Sequence, residues 1–283
     1  MIRNQSILKP KIPRVLVIGG SGRLGPLLRR AWALEGEDIP FVWQARRETA
    51  FAGSGGPDLV FDPLADRGAL AAAAGAADVV LCLAGVTAGS AEELAANVTL
   101  AQAVVDASPV PVLLASSAAV YGAGPCSEDD TPHPLAPYGR AKLAMEQAVR
   151  GRAVMLRIGN VVGADALLGR VVPGRVLDIC ADGLAPRRSF IGPVALSRAL
   201  ARLVRLVAAG AEVPGVLNLA LPGACGMDAL LRAAGEGWTP RPAPEGVIPV
   251  VELDVRRAVA LGLVPEAPAR AAALVADLAR VRA

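Results

Sequence analysis

The sequence has few of the residues that carry most acid–base and metal chemistry. Its 283 residues include only three Lys, two Tyr and one His, and aromatic residues make up 3%. A single His cannot assemble a His-based metal site, and the four Cys show no metal-ligand spacing, so we expect free thiols and no metal. The formal net charge of +3 is spread along the chain without a basic block, which argues against a nucleic-acid partner.

Long hydrophobic runs are also missing. The N-terminus lacks the roughly 7–15-residue apolar core of a secretory signal. No uninterrupted apolar run reaches the ~18 residues that are needed to span a bilayer. We therefore expect a cytoplasmic protein without a membrane partner, and residues 1–12 are interpreted as a flexible tail.

Short apolar runs alternate with helical patterns over residues 13–160. Runs such as "RVLVIGG" (14–20) and "DVVLCLAG" (78–85) are typical of strands buried on both faces. The alternation predicts an α/β fold with a doubly wound parallel (Rossmann) sheet, whose strand carboxyl ends share one ligand-binding edge. Residues 161–283 are predicted to form a smaller substrate-binding lobe, with a strand at 215–220 that returns to the Rossmann sheet.

A glycine-rich turn, "VLVIGGSGRLG", joins the first strand to the first helix. Gly19 permits a tight turn, and the later glycines let the backbone and the helix approach a pyrophosphate closely. The helix N-terminus adds N–H donors and a favourable dipole. A purely structural turn is the alternative. The context predicts that a dinucleotide is bound by Gly19, Ser21, Gly22, Arg23, Leu24 and Gly25.

The end of the second strand bears on which dinucleotide is bound. An acid at this place would hold the ribose 2′-hydroxyl of NAD, but the chain reads "WQARR", with Arg46 and Arg47. Two guanidinium groups suit the 2′-phosphate of NADP, which is therefore preferred, with NAD as the alternative. The simpler interpretation is a pair of solvated surface arginines. Asp62, at the end of the third strand, is placed near the adenine or in a loop cap.

Lys142 is the only Lys outside the N-terminal tail, and it follows a Tyr by four residues. In "PYGRAKLAM", Tyr138 and Lys142 share one face of a helix. A free phenol has a pKa of about 10, and a nearby ammonium is expected to lower that pKa towards neutral pH. A compact ammonium can also hydrogen-bond a nicotinamide ribose, which explains why a chain that prefers Arg keeps this Lys. For these two residues alone, a surface pair is the simpler interpretation.

The stretch "LLASSAAVYG" places Ser116 and Ser117 at the end of the fifth strand, where a hydroxyl can share a proton with the Tyr.

Four motifs, "GGSGRLG", "SSAAVYG", "YGRAK" and "LRIGNVVG", occur in this order along the chain. With them the chain resembles the extended short-chain dehydrogenase/reductases, the NAD-dependent epimerase/dehydratase family, over residues 14–163. The resemblance implies that Tyr138 is the catalytic acid/base, Lys142 its activator and ribose anchor, and Ser117 the third member.

The same resemblance implies further binding residues. Ala84 and Gly85 would line the nicotinamide side, and Asn160 and Arg188 would face the substrate. The segment between Arg157 and Arg188 is short, which predicts a reduced substrate lobe.

The sequence thus predicts an NAD(P)-dependent oxidoreductase of the epimerase/dehydratase type. Its substrate would be a small molecule, namely a sugar, a nucleotide sugar or a related hydroxylated compound, with hydride transfer at a carbinol carbon. An NADPH-dependent ketoreductase is one alternative, and a non-enzymatic dinucleotide-sensing regulatory protein is another. Similar proteins usually dimerise, so a homodimer is compatible with this interpretation.

Overall fold

The computed structural model describes residues 11–48, 55–170 and 172–282. Residues 1–10 of the predicted tail lie outside the described residues. Within these ranges, no helix combines the length and the apolar character needed to cross a membrane.

The strands of the described residues follow one another in chain order. They are β1 (Val15–Ile18), β2 (Phe41–Ala45), β3 (Leu59–Val60), β4 (Val79–Cys82), β5 (Val112–Ser117), β6 (Gly124–Cys126), β7 (Val154–Ile158), β8 (Asn160–Val161), β9 (Val176–Ile179), β10 (Arg187–Arg188), β11 (Phe190–Ile191), β12 (Val216–Leu219), β13 (Cys225–Gly226), β14 (Thr239–Pro242) and β15 (Val250–Leu253).

The helices lie between these strands or follow them. They are α1 (Gly25–Leu34), α2 (Arg67–Gly75), α3 (Ala91–Ala107), α4 (Pro137–Ala148), α5 (Pro193–Ala208), α6 (Met227–Ala233), α7 (Arg256–Ala260) and α8 (Ala271–Arg282).

Seven strands form one parallel sheet in the order β12-β7-β5-β4-β1-β2-β3. All four residues of β1 are buried, as expected of a strand that is covered on both faces. The strand order reverses at β1, since the chain goes first to β2 and β3 and later to β4 and β5. The predicted α/β doubly wound Rossmann fold is confirmed.

Helices cover both faces of this sheet. On one face, α1, α5 and α8 contact one another, and Val15 and Val17 of β1 point into their core. On the other face, α3 packs between α2 and α4, and Leu16 and Ile18 point into that second core. Successive residues of a strand face opposite sides, which is why a short apolar strand supplies both cores.

The smaller sheets join residues from both parts of the chain. One sheet has the order β13-β10-β15-β6, so β6 from the first 160 residues pairs with β15 near the C-terminus. Conversely, β12 is the edge strand of the central sheet beside β7. The pairs β8–β11 and β9–β14 complete these connections. The domain boundary near residue 160 remains a prediction, because strands pair across it in both directions.

The C-terminal helix α8 is tied to α5 by a side-chain cap. The Asp277 carboxylate accepts hydrogen bonds from the backbone N–H groups of Val194 (2.8 Å) and Ala195 (3.0 Å) in the first turn of α5. Gly192, directly before α5, has no space for a Cβ because the Asp277 carboxylate occupies it. A carboxylate at this end of a helix satisfies unpaired N–H groups and opposes the positive end of the helix dipole.

We predict that Asp277→Ala lowers the free energy of unfolding by about 1 kcal/mol, because two N–H donors of α5 lose their acceptor. Urea denaturation measures the change. Glu245→Ala, at an exposed carboxylate, is the control and should leave the midpoint unchanged. Equal midpoints for both variants would show that the cap does not anchor α8.

Candidate active site

A cavity of about 570 Å³ opens at the carboxyl edge of the central sheet. The turn after β1, the ends of β2, β4, β5 and β7, and the first turns of α4 contribute to its wall. This is the place where a doubly wound sheet binds ligands, because the strand order reverses there. The predicted site residues in its wall are Gly19, Ser21, Gly22, Arg23, Leu24, Arg46, Asp62, Ala84, Gly85, Ser117, Tyr138, Lys142 and Asn160.

The turn after β1 leaves no room for side chains at two of its glycines. Gly19 has a φ of +85°, and a Cβ on it would lie 2.6 Å from the Cα of Ala84. Gly25 packs against the carbonyl of Gly20 and is not among the residues of the cavity wall. α1 begins without a side-chain cap, so the donors of its first turn can serve an anion such as a pyrophosphate.

Gln44, in β2, is a site residue that was not singled out from the sequence. Its side chain is 1% exposed, and its Oε1 accepts a hydrogen bond from the N–H of Gly19 (3.0 Å). Its Nε2 donates to the carbonyl of Phe61 (2.5 Å), so Gln44 ties the glycine turn to the end of β3. An amide within a run of apolar residues was the available signal.

The cavity wall beyond β2 carries both charge signs. Arg46 is exposed and lines the cavity, whereas Arg47 is exposed but is not among the lining residues. Asp62 lines the cavity, and its Oδ1 also accepts from the N–H of Leu64 (2.9 Å). Both interpretations of Asp62, adenine contact and loop cap, therefore agree with the geometry.

At the opposite end, Gly85 lies between two polar side chains. A Cβ on Gly85 would lie 2.8 Å from Asn97 Oδ1 and 2.9 Å from Lys142 Nζ. The buried Asn97 amide holds the next residue, Val86, by accepting from its N–H (3.1 Å) and donating to its carbonyl (2.9 Å). The segment after β4 is thus fixed closely against the Lys142 ammonium.

The residues Ser117, Tyr138 and Lys142 meet in one wall of the cavity. Ser117 lies close enough to the Tyr138 phenol to lower its pKa, and the Ser117 Oγ accepts from the N–H of Ala119 (3.2 Å). Lys142 is 3% exposed, and its Nζ donates to the carbonyl of Ala115 (2.9 Å). These contacts place a hydroxyl, a phenol and an ammonium around the same space.

The protonation of Tyr138 differs from the prediction. Burial raises the pKa of Tyr138 and outweighs the Ser117 hydrogen bond and the positive charge of Arg23, which lower it. Burial also lowers the pKa of Lys142, because desolvation disfavours the ammonium. The expectation that Lys142 lowers the pKa of Tyr138 is therefore wrong for this structure, since the cation that acts on the phenol is Arg23. At neutral pH Tyr138 is a neutral phenol, which can donate a proton.

The two predicted substrate contacts are placed differently. Asn160 is the first residue of β8, two residues after the end of β7, and lines the cavity. The Arg188 guanidinium instead donates to the carbonyls of Ile248 (2.7 Å) and Arg187 (2.8 Å), and Arg188 is not among the lining residues. Its contacts join β10 to the segment before β15. A substrate contact of Arg188 stays a prediction that its present partners do not support.

Two further lining residues carried no signal in the sequence. Thr87 Oγ1 accepts a hydrogen bond from Arg23 Nη2 (3.2 Å), which connects the glycine turn to the segment after β4. Asp165 follows β8, and its Oδ1 accepts from the N–H of Leu168 (2.8 Å). Both lie in irregular segments, where neither periodicity nor a motif marks them.

Comparison with a family model agrees with this geometry. The model of the NAD dependent epimerase/dehydratase family matches residues 15–192. The matched range is more than half of the chain and includes Ser117, Tyr138 and Lys142. Among curated protein sequences, none matches the chain.

Solved structures with the same fold cover nearly the whole chain. A UDP-glucose-4-epimerase from Stenotrophomonas maltophila, solved with NAD and formylated UDP-arabinopyranose, is 22% identical with a TM-score of 0.76, and the match covers 95% of this chain and 98% of that chain. A UDP-glucose 4-epimerase from Brucella ovis with NAD is 23% identical with a TM-score of 0.73, covering 88% and 92%. MoeE5 in complex with UDP-glucuronic acid and NAD is 26% identical with a TM-score of 0.71, covering 95% and 99%.

We predict that Gly85→Ala lowers the free energy of unfolding by about 1–3 kcal/mol, because the new methyl group must displace Asn97 or Lys142. Dinucleotide binding should weaken as well, since the Lys142 ammonium moves. Thermal unfolding and titration calorimetry measure the two effects. Gly75→Ala is the matched control, because no heavy atom lies within 4 Å of its added Cβ. Unchanged binding by Gly85→Ala would mean that this close packing is unimportant for the site.

Proposed function

Because the chain belongs to the NAD-dependent epimerase/dehydratase family of extended short-chain dehydrogenase/reductase enzymes, we propose that it interconverts a carbinol and a carbonyl group on a nucleotide sugar. The observation that carries this proposal is that Ser117, Tyr138 and the buried Lys142 line the wall of one cavity.

The residues of the cavity fit a nicotinamide dinucleotide. The uncapped first turn of α1 and the glycine turn suit the pyrophosphate, and the Ala84–Gly85 segment and Lys142 suit the nicotinamide ribose. When bound, the dinucleotide supplies the acceptor and the donor of hydride. Asn160 also lines the cavity, and the substrate is proposed to bind beside it.

Tyr138 is proposed as the acid/base. As a neutral phenol it gives its proton to the carbonyl oxygen while hydride reaches the carbonyl carbon. In the reverse direction the phenolate takes the hydroxyl proton as hydride leaves the carbinol carbon. Ser117 is proposed to donate a hydrogen bond to the phenolate, and the positive charge of Arg23 favours the same form.

The structural neighbours support a nucleotide sugar as the substrate class. The Stenotrophomonas enzyme and MoeE5 were solved with UDP-linked sugars, and MoeE5 shares 26% identity with this chain. An NADPH-dependent ketoreductase remains the alternative reaction, since it would use the same three residues. It differs in consuming the reduced dinucleotide, whereas an epimerase returns its hydride. A homodimer and a cytoplasmic location stay predictions.

For the cofactor, we propose a preference for NADP, supported by the exposed Arg46 at the cavity wall. Ala45 ends β2 where an acid would hold the 2′-hydroxyl of NAD. NAD is the alternative, and the three neighbours named above were solved with NAD.

We predict that Tyr138→Phe retains dinucleotide binding but lowers the rate of hydride transfer by about 10²–10⁴-fold, because the proton donor is lost. A panel of UDP-linked sugars with NAD and NADP serves as substrate, with product separation for epimerisation and nicotinamide absorbance for net reduction. Glu245→Ala, at an exposed residue outside the cavity wall, is the control and should keep the rate. Turnover that survives Tyr138→Phe would rule out the proposed acid/base. If the unaltered protein and Tyr138→Phe both bind the dinucleotide but neither turns over any substrate, the non-enzymatic regulatory alternative is favoured.

We predict that Arg46→Ala weakens NADPH binding about tenfold and leaves NADH binding unchanged, because one charge-assisted contact to the 2′-phosphate is lost. Titration calorimetry measures both affinities. Arg47→Ala is the comparison, and its effect should be smaller because Arg47 is not in the cavity wall. Tighter binding of NADH than of NADPH by the unaltered protein would reverse the cofactor assignment.

A further inference from the structure

A buried ion pair lies one helical turn beyond Lys142. Glu146 of α4 accepts from Arg157 of β7, with distances of 2.7 Å to Nη2 and 3.1 Å to Nε, and both side chains are 6% exposed. The Ser116 hydroxyl donates to the same carboxylate (2.5 Å). Three donors thus hold one carboxylate inside the protein, in the two-pronged geometry that Arg favours.

Stability alone does not account for a buried ion pair. Replacing such a pair by apolar residues of similar size is often neutral or stabilising, because both charges lose their hydration. The position of the pair suggests another role. Lys142 and Glu146, at i and i+4, lie on the same face of α4.

Two adjacent residues of β5 bind this face of α4. The carbonyl of Ala115 accepts from Lys142 Nζ (2.9 Å), and the hydroxyl of the next residue, Ser116, donates to Glu146. The end of β5 therefore binds both the ammonium and the carboxylate. Ser117, which lines the cavity together with Tyr138, is the next residue of the same strand.

Arg157 also has partners other than Glu146. Its Nη1 donates to the Tyr121 hydroxyl (2.8 Å), and this hydroxyl donates to Asn218 Oδ1 of β12 (2.9 Å). The Arg157 guanidinium also lies over the Tyr121 ring, 4.7 Å from its centroid. The ion pair is thus fixed by β5, β7, β12 and α4 together, and the Glu146 carboxylate has little freedom to move.

We propose that Glu146 is a positioning residue that keeps the Lys142 ammonium charged and in place at the cavity wall, and that Arg157 and Ser116 hold the Glu146 carboxylate for this purpose. The role in catalysis rests on the proposed function, whereas the electrostatic relation between the two side chains does not.

The charges around Lys142 agree with this role. Burial lowers the pKa of Lys142, and the Cys82 thiol on β4 and the Glu146 carboxylate on α4 raise it. The side chain of α3 at this place is the neutral amide of Asn97, which lies across Gly85 from the ammonium. Tyr138 on α4 is a neutral phenol, and Arg157 on β7 is paired with Glu146. Burial raises the pKa of Cys82 to about 11, so at neutral pH Glu146 is the anion that offsets the desolvation of Lys142.

The scarcity of Lys permits a direct test. Protein labelled with ¹³Cε-lysine gives signals from Lys9, Lys11 and Lys142 only. Titration by nuclear magnetic resonance yields the pKa of Lys142 without any substrate, and the exposed Lys11 serves as the internal reference.

We predict that Glu146→Gln lowers the pKa of Lys142 by about one unit or more, because the neighbouring negative charge is lost while the shape and the acceptor for Ser116 remain. The alkaline limb of the pH–rate profile should move to lower pH by the same amount. Asp277→Ala, at the contact between α8 and α5, is the control for loss of stability. It should lower the melting temperature but leave the pKa of Lys142 and the alkaline limb in place.

An unchanged pKa of Lys142 in Glu146→Gln would overturn the inference, as would equal shifts in both variants. If the unaltered protein shows no turnover, the resonance titration still decides the inference. Failure of the proposed function is then distinguished from failure of the role assigned to Glu146.

Discussion

Parallel pairing of β1 with β2 on one side and β4 on the other is the constraint on which the site depends. The strands end together at one edge, and the helices that follow β1 and β4 leave towards opposite faces of the sheet. A crevice forms where the strand order reverses. The close approach of Gly19 to Ala84 makes the glycine turn the floor of this crevice, and only a residue without Cβ permits that approach.

Polar groups inside such a tightly packed edge must find partners, because an unpaired buried charge or amide is costly. The Gln44 side chain accepts from a backbone N–H of the turn after β1, and the Asn97 side chain accepts from a backbone N–H after β4. The buried charges of Glu146 and Arg157 pair with each other beside the end of β5. These contacts come from different strands and helices. They order the cavity wall in which Tyr138 lies, and burial there raises the pKa of Tyr138.

Much of the fold was predictable because its signals are local. Continuous apolar runs marked β1, β4 and β5, and the convergence of parallel strand ends then placed the predicted motifs at one edge. The irregular segments were not predictable. β6, of three residues, pairs with β15, of four residues, which lies more than a hundred residues later in the chain. Strands this short have no periodicity that could reveal their partner. Gln44 and Glu146 were missed for a similar reason, since their partners are far away in sequence.

The sequence by itself determined the glycine turn, the Tyr138–Lys142 spacing on one helix face and the family, because each depends on residues within a few positions of one another. Only the tertiary structure decided that Ser117 lines the cavity with Tyr138 while Ser116 donates to Glu146, that Arg188 binds backbone carbonyls, and that the pKa of Tyr138 is raised. Desolvation and charge proximity depend on how distant segments pack around a group, and a short stretch of sequence does not contain that information.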